Sequence, residues 1–537
     1  MSRLRLGLLA AANAAALLLL VGVLLRPGPT RADGGGPARA PAIEGAALQA
    51  PAASPGPAPA RESAPRAPQA PALAERIRAR IAAARSAAAG RGVERGAVRV
   101  AVHVRERGRP GELVAIEADH PLRPASNMKL LTSAAALVLL GPDWSFRTRF
   151  ESAAALVDGV LRGDLVARAG GDPLYDPAAG GEVAHLLRPL VADLCAAGLR
   201  RVEGDLVLDE EGWLEAGPGP AWPPQSQHWS ESCARCAGFS ANAGCLTALV
   251  EPGEVGGPAR VRVLPASHGL VRDGSVTTGA PRSRLVIAVA ALPPAVTVRG
   301  SIPADVALWE TRFAHPDPVE LFGAALRAAL AEGGIELAGG LVRARGRPAG
   351  RLLAELRSPL IGLLGAINTD SNNAVADQVF LATGRAVAGR GERAAGGEAT
   401  GRALARLGLD PAGLVQVDGS GLSRDDRVSA RQTTALIDAV LALDDATAEA
   451  FRGSLAVAGE TGTLAGRMTA GPARGRVRAK TGWISGTSAL SGVARTLDGR
   501  ELVFSILVDY PPQAGLNTSC WKPMSDAICE LLVEHDG

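Results

Sequence analysis

Residues 124–132 of this 537-residue chain read PASNMKLLT, and an almost wholly apolar run follows as far as Leu140. Good helix formers dominate this run, so we predict a helix from Ser126 to Leu140 that is buried on nearly all sides. Because positions i and i+3 share a helix face, the Ser126 hydroxyl and the Lys129 amine are expected to converge. The backbone N–H groups at a helix N-terminus favour negative charge that develops on oxygen. The stretch therefore predicts a serine nucleophile with an amine beside it.

Lysine is rare in this chain. Of its 57 basic residues only Lys129, Lys480 and Lys522 are lysine, and the other 54 are arginine. A lysine buried beside a second cation can lose its proton, whereas a guanidinium stays charged in any protein environment. We therefore expect a retained lysine to mark a position that needs an amine. Lys522, which lies in no motif, is interpreted as a surface lysine.

The second lysine lies in Lys480-Thr481-Gly482, just before a strand-like segment at residues 489–493. The Thr481 hydroxyl and the Lys480 charge suit a substrate carboxylate. Gly482 has no side chain, which would let a substrate backbone approach closely.

A third motif, Ser371-Asn372-Asn373, precedes an apolar helical stretch. A hydroxyl and a carboxamide two residues apart can shuttle a proton and hold a substrate amide, although a simple helix cap is an alternative. Each motif is weak alone. In the order S-x-x-K, S-x-N, K-T-G they match the motif set of penicillin-recognising serine enzymes.

The spacing of these motifs predicts an inserted region. Ser126 and Ser371 are 245 residues apart, far more than one helical subdomain needs. We assign residues 73–146 and 351–537 to a catalytic domain and residues 147–350, with their short β-like runs, to an insertion. Valines at alternate positions from Val98 to Val104 predict a strand with one buried face.

The N-terminal residues predict export. Arg3 and Arg5 precede an uncharged run from Leu6 to Leu25, long enough to span a bilayer. An uncleaved anchor and a cleaved signal are both compatible with residues 1–26. Residues 27–72 are Pro/Ala-rich and predict a disordered linker. We expect a periplasmic or otherwise extracytoplasmic body, tethered to the inner membrane if the segment is uncleaved.

Composition argues against other classes of function. The net charge is only +3, and no basic stripe carries interleaved aromatic residues, so nucleic-acid binding is not expected. There is no H-E-x-x-H motif and no phosphate loop, so we expect no metal and no cofactor. Cys233, Cys236 and Cys245 cluster, with Cys195 upstream. A four-cysteine zinc site has similar ingredients, but disulfides are the favoured prediction for an exported protein.

Further blocks extend the pattern beyond the three motifs. With them, roughly residues 97–532 resemble the class C low-molecular-mass penicillin-binding proteins, the D-alanyl-D-alanine carboxypeptidase/endopeptidase family. Besides the three motifs, the blocks that carry this resemblance are residues 163–165 (GDL), 170–173 (GGDP), 358–360 (SPL), 418–424 (DGSGLSR) and 458–464 (AGETGTL).

The resemblance implies a fold and an activity. The fold is α+β, an antiparallel sheet flanked by helices as in β-lactamases and transpeptidases, with a large β-rich insertion. The activity is hydrolysis of D-Ala–D-Ala termini or crosslinks of peptidoglycan peptides through an acyl-enzyme, with β-lactams as covalent inhibitors. A catalytically weak cell-wall-binding protein that retains the fold is the alternative.

The resemblance also implies roles for individual residues. Ser126 is the nucleophile and Lys129 its base, and Ser371 and Asn373 relay the proton and anchor the peptide. Lys480, Thr481 and Gly482 line the carboxylate side, and the N–H groups of Ser126 and Trp483 form the oxyanion hole. Two positions depart from the family's pattern: Trp483 stands where Ser or Thr is usual, and Asn372 stands where Asp is frequent. The hydroxyl that Trp483 lacks would otherwise donate to the substrate carboxylate.

Overall fold

The computed structural model describes residues 72–214 and 217–536. The predicted signal or anchor at 1–26 and all but the last residue of the predicted linker at 27–72 lie outside them. Within the described residues, none of the helices combines the length and the apolar character needed to cross a membrane.

A six-stranded central sheet forms the middle of the molecule, and every neighbouring pair of its strands is antiparallel. In spatial order the strands are Ala456–Val457, Val477–Ile484, Thr487–Arg495, Glu501–Asp509, Arg99–Glu106 and Val114–Ile116. The Lys480-Thr481-Gly482 motif therefore lies within a strand of this sheet, not before one. Residues 489–493 belong to the next strand, with Lys480 opposite Ser491.

Helices cover both faces of the central sheet. On one face, Leu73–Ala89 packs against Lys522–Val533 over the side chains of Val100, Val102 and Val104. On the other face, Ala430–Leu441 contacts Arg99–Glu106 and Glu501–Asp509. The prediction of one buried face for the first strand is thus wrong: residues 100–104 are all buried because helices cover both sides.

The predicted buried helix is present and starts with a tight turn. A 3₁₀ turn at Ala125–Asn127 leads into the α-helix Met128–Leu140, whose residues 128–137 are all buried. This helix is in contact with the helices Ile361–Asn368, Asn373–Ala388, Arg393–Arg406, Ala430–Leu441 and Asp445–Gly453. The break between Asn368 and Asn373 places the S-x-N motif at a helix start.

The region between the first two motifs is β-rich, as expected, with a hydrophobic core of its own from Phe150 to Leu356. Its entry and exit strands, Ser145–Ser152 and Arg351–Pro359, pair with each other in an antiparallel ladder. They belong to a five-stranded sheet with Leu165–Arg168, Leu206–Asp209 and Leu341–Ala344. The division into domains at 147 and 350 stays a prediction.

Three smaller sheets and two helices complete this region. The first sheet comprises Leu156–Val157, Val160–Leu161, Arg201–Val202 and Glu336–Leu337. The second comprises Cys245–Glu251, Arg260–Leu264 and Trp309–Ala314. The third comprises Val271–Asp273, Val276–Gly279, Val286–Leu292 and Ala295–Pro303. The helices are Ala184–Ala196 and Pro318–Glu332.

The prediction of disulfides is wrong. All six cysteines fall within the described residues, and all six are free thiols. The Cys236 thiol donates to the Ala374 carbonyl at 3.3 Å, and the Cys245 thiol lies 3.6 Å from the Ala243 carbonyl. Closeness in sequence does not bring these sulfurs into the narrow geometry that a disulfide requires. The described residues also contain no group of three or more His, Cys, Asp or Glu side chains that could hold a metal ion.

Candidate active site

The turn at Ala125–Asn127 carries the predicted nucleophile, Ser126, and is called the nucleophile turn for that prediction. It brings Ser126 and Lys129 together as the spacing predicts. The Lys129 Nζ lies 3.1 Å from the Ser126 Oγ. The same nitrogen lies 2.6 Å from Asn373 Oδ1 and 2.8 Å from the Ser420 carbonyl oxygen. Three acceptors match the three N–H groups of an ammonium, so Lys129 is fully partnered when charged. A neutral amine would instead turn its lone pair towards one of these partners, and Ser126 is the partner that carries a hydroxyl proton.

The second amine is held on the other side of the site. The Lys480 Nζ donates to the Ser371 Oγ at 2.8 Å and to the Thr481 carbonyl at 2.8 Å. Ser371 has a left-handed backbone with φ 66°, a conformation that costs a non-glycine residue roughly 1–3 kcal/mol. The Ser371 hydroxyl is thus held against Lys480 by a locally unfavourable backbone turn.

The two asparagines of the S-x-N motif do different things. Asn372 caps the helix that follows, because its Oδ1 accepts from the Val375 N–H at 3.0 Å. Asn373 points into the site, where its Oδ1 accepts from Lys129 and its Nδ2 donates to the Ser232 carbonyl at 2.9 Å. The cap that the sequence left as an alternative therefore exists, but it involves only Asn372. Ser232 is a contribution of the inserted region.

Burial dominates the electrostatics of both amines. Lys129 and Lys480 are fully buried. Burial lowers the pKa of Lys129 to about 8, while the carboxylates of Asp377, Asp418 and Asp426 act in the opposite direction. Burial also lowers the pKa of Lys480, and the Lys129 charge lowers it further. The expectation that a second cation would lower the pKa of Lys129 is therefore not met, because burial lowers it and the neighbouring charges that act on it are carboxylates.

A buried acidic cluster lies beneath Lys129, and no sequence motif predicted it. Asp418 accepts from the backbone N–H groups of Ser420, Gly421 and Ser423. Asp377 keeps one buried oxygen without a hydrogen-bond partner, and burial together with Asp418 raises its pKa to about 7. The DGSGLS block at 418–423 was the available signal, but nothing local in it points to Lys129.

Two glycines allow the loops of the site to touch. Gly421 has φ 79°, and a Cβ there would collide with the Ala125 carbonyl. A Cβ on Gly482 would lie 2.7 Å from the Pro124 carbonyl and 3.0 Å from the Ala489 side chain. The sequence predicted that Gly482 would let a substrate backbone approach closely. In the fold, its missing side chain makes room for the chain's own nucleophile turn.

Asn127 connects the nucleophile turn to the strand that carries Lys480. In the amide orientation that satisfies both neighbours, its nitrogen donates to the Lys480 carbonyl at 2.9 Å and its oxygen accepts from the Ser491 hydroxyl at 2.6 Å. Asn127 is completely buried. This contact sets the turn and the strand in register with each other.

The remaining predicted residues lie at the mouth of the site. The Thr481 hydroxyl donates to the Thr463 hydroxyl at 2.9 Å. The side chain of Trp483 is 58% exposed. The Trp483 side chain forms a hydrogen bond with Tyr510. Burial raises the pKa of Tyr510, and this hydrogen bond acts in the opposite direction. Thr463 was not predicted as a site residue, although it lies in one of the blocks that carry the family resemblance.

The inserted region forms one wall of a cleft beside Ser371. The cleft has a volume of about 420 Å³, and Tyr175, Glu231 and Arg312 contribute to its lining. Arg312 pairs with Glu231 at 2.7 Å and donates to the Tyr175 hydroxyl at 3.0 Å. These residues are far from Ser126 in the sequence, and only the tertiary fold brings them to the site.

The three tryptophans of the insertion have different environments. Trp213 is buried, and its indole N–H donates to the Ala169 carbonyl at 3.2 Å. Trp222 donates to Asp418 at 2.8 Å, which links the insertion to the acidic cluster. Trp229 is largely exposed.

An antiparallel sheet between helices, with a serine, two buried amines and an S-x-N turn at its edge, defines the class of penicillin-recognising serine hydrolases. Residues 92–526 match the model of the D-Ala-D-Ala carboxypeptidase 3 (S13) family. The chain belongs to this family, as its sequence blocks predict, and is a serine-type D-Ala-D-Ala carboxypeptidase.

Individual relatives agree with this assignment. A D-alanyl-D-alanine carboxypeptidase of Actinomadura sp. (strain R39) is 35% identical over 445 residues, 79% of this chain and 79% of the relative. The D-alanyl-D-alanine carboxypeptidase DacB of Haemophilus influenzae is 28% identical over 403 residues, 71% of this chain and 79% of the relative. The crystal structure of penicillin binding protein 4 (dacB) from Haemophilus influenzae is similar in fold, with a TM-score of 0.69 and 22% identity over 83% of this chain and 98% of that chain. The predicted fold class is confirmed.

Proposed function

We propose that Ser126 attacks the amide carbonyl of a D-Ala–D-Ala terminus or of a D,D-crosslink in peptidoglycan. The Ser126 Oγ–carbonyl bond forms, the amide C–N bond breaks, and the leaving amine takes a proton. Water then hydrolyses the acyl-enzyme. The observation that carries this proposal is the 3.1 Å contact between the Ser126 Oγ and the Nζ of a fully buried lysine.

Lys129 is proposed as the general base. A base works best when its pKa lies near the working pH, because it is then often unprotonated and still accepts a proton readily. Burial brings the pKa of Lys129 down to about 8. An exposed lysine would still be charged at that pH. An arginine could not take this role, since its guanidinium does not give up its proton.

Ser371 is proposed to carry the proton to the leaving amine, because its hydroxyl is held by the Lys480 Nζ. Asn373 is proposed mainly as a positioning residue. Its amide oxygen holds Lys129 and its amide nitrogen donates to Ser232, and these two contacts fix the orientation of the side chain. One lone pair and one N–H remain for the substrate peptide, so the positioning role adds to the peptide anchor that the family resemblance implies.

The backbone N–H groups of Ser126 and Trp483 are proposed as the oxyanion hole. The close approach of Gly482 to the Pro124 carbonyl supports this, because it holds the strand end directly against the nucleophile turn. Thr481, with Lys480 beneath it, is proposed to meet the substrate carboxylate.

The proposed substrates are peptidoglycan peptides, and the proposed inhibitors are β-lactams. Both imply that the protein acts outside the cytoplasm. We propose that the cleft beside Ser371 receives the substrate peptide, for cleavage of either a crosslink or a D-Ala–D-Ala terminus. Tethering to the inner membrane through residues 1–26, if this segment is uncleaved, is part of the proposal and rests on the sequence alone.

Labelling with a fluorescent penicillin tests the proposal, using the wild type and Ser126→Ala. We expect the wild type to label covalently and Ser126→Ala to stay unlabelled. Equal labelling of both, or none of either, would contradict the assignment of Ser126 and favour a catalytically weak wall-binding protein. Products from purified muropeptides would then separate loss of terminal D-Ala from cleavage of crosslinks.

A further inference from the structure

The Lys480-Thr481-Gly482 strand lacks a hydroxyl at its end. Alternate residues of a strand lie on the same face, so Thr481 and the residue at position 483 point to the same side. A Ser or Thr at position 483 would place a second hydroxyl next to that of Thr481. This chain has Trp483 there, with its side chain largely in solvent and hydrogen-bonded to Tyr510. Trp483 therefore supplies no side-chain donor beside Thr481.

A different part of the chain brings a hydroxyl to this place. The Thr463 Oγ1 lies 2.9 Å from the Thr481 Oγ1, and Thr463 is exposed at the mouth of the site. Two features hold it there. The Thr463 N–H donates to the Thr369 carbonyl at 3.1 Å. Gly462, with φ 51°, packs so closely on Thr369 that a Cβ would collide with it.

We propose that Thr463 and Thr481 together bind the carboxylate of the substrate, with Thr463 providing the hydroxyl that Trp483 lacks. Thr463 is then a specificity-determining residue for substrates that end in a free carboxylate. The inference rests on the proposed function, because it concerns the same acylation site.

The chemistry of the pair suits this ligand. A carboxylate only accepts hydrogen bonds, and it has two oxygens. Two neighbouring hydroxyls can each donate to one of them, and hydrogen bonds to a charged acceptor are stronger than neutral ones. In the free protein Thr481 donates to Thr463, so a carboxylate would replace a neutral hydroxyl–hydroxyl contact. Lys480 lies under the pair, with its Nζ on the Thr481 carbonyl.

The test compares benzylpenicillin with its methyl ester, which has no carboxylate. In Thr463→Val we expect acylation by the free acid to slow by about tenfold or more, the scale of one hydrogen bond to a charged group. Acylation by the ester should change little. Thr463→Ser should behave like the wild type, and Trp483→Ser introduced into Thr463→Val should recover part of the lost rate.

Thr461→Val is the matched control, because Thr461 lies on the same turn but its hydroxyl accepts from the Val457 N–H. It should leave the acid-to-ester ratio unchanged. An unchanged ratio in Thr463→Val, or an equal loss with acid and ester, would overturn the inference.

A binding measurement separates this inference from the proposed function. In a Ser126→Ala background, calorimetry compares N-acetyl-D-Ala-D-Ala with its C-terminal amide. Loss of the preference for the carboxylate on adding Thr463→Val supports the site, even if the wild type proves not to be acylated by penicillin. A preference that survives Thr463→Val overturns it, whatever the acylation result.

Discussion

The Lys129 Nζ and the Asn373 Oδ1 are 2.6 Å apart in space and 244 residues apart in the chain. This contact joins the nucleophile helix to the start of the helix that follows the S-x-N motif. It holds the proposed base in place together with the Ser420 carbonyl, which accepts from the same nitrogen. The position of Lys129 thus depends on three separate segments of the chain.

The two motif lysines should respond differently to arginine. Lys129→Arg should lower the rate of β-lactam acylation by about a hundredfold or more, because a guanidinium cannot act as a base. Lys480→Arg should keep partial activity, because the proposed role of Lys480 needs a charge and a donor. Stopped labelling reactions with fluorescent penicillin measure both rates. Lys522→Arg, outside all motifs, is the control and should react as the wild type does. Near-wild-type labelling by Lys129→Arg would refute its role as the base.

The acylation rate should depend on pH through Lys129. Only the neutral amine accepts the Ser126 proton, and the pKa of Lys129 is about 8, so the rate should rise as pH increases through about 8 and then level off. Asp377→Asn removes a negative charge that favours the protonated amine, so this rise should move to lower pH by about one unit. A pH–rate profile of penicillin acylation measures the shift. Asp498→Asn, on an exposed turn, should leave the profile where it is.

Gly482 should not tolerate a methyl group. In Gly482→Ala the new Cβ would press on the Pro124 carbonyl and the Ala489 side chain, so we expect a loss of about 1–3 kcal/mol in the free energy of unfolding. Acylation should fall as well, because the strand moves away from Ser126. Gly466→Ala is the matched control, since a Cβ there meets nothing within 4 Å. Denaturant unfolding and penicillin labelling, measured on both variants, test the prediction. Equal behaviour of the two alanine variants would count against it.

Asn372 and Asn373 should separate stability from activity. Asn372→Ala removes a helix cap and should cost about 1 kcal/mol in the free energy of unfolding, with only a modest effect on acylation. Asn373→Ala removes the acceptor that holds Lys129 and should greatly slow acylation. Asn372→Asp keeps a capping oxygen and should resemble the wild type in stability. Denaturant titrations and labelling rates measure the two effects, and the reverse pattern would contradict this division of roles between the two asparagines.

Local geometry explains what could be predicted. The contact between Ser126 and Lys129 follows from a spacing of three residues at a helix start, which the chain sets by itself. The helix at Leu73–Ala89 follows in the same way from apolar residues at helical spacing. The alternating valines of the strand Arg99–Glu106 could not show that both of its faces are buried, because the helix that covers the second face starts only at Ala430.

Contacts between distant segments explain what was missed. The Ser420 carbonyl, the Ser232 carbonyl and the Thr463 hydroxyl all touch motif residues, and none belongs to a motif with obvious chemistry. Two of them act through backbone atoms, which every residue type carries. Their side chains therefore hold no sign of the role.

Resemblance to known sequence blocks was enough to predict the family, and helical spacing was enough to predict the pairing of Ser126 with Lys129. The burial of Lys480, the carboxylate cluster beneath Lys129 and the place of Thr463 beside Thr481 became visible only in the folded chain. Burial and long-range contacts arise from the packing of segments against one another. A pKa near 8 for Lys129 is a property of that packed environment, and no motif encodes it.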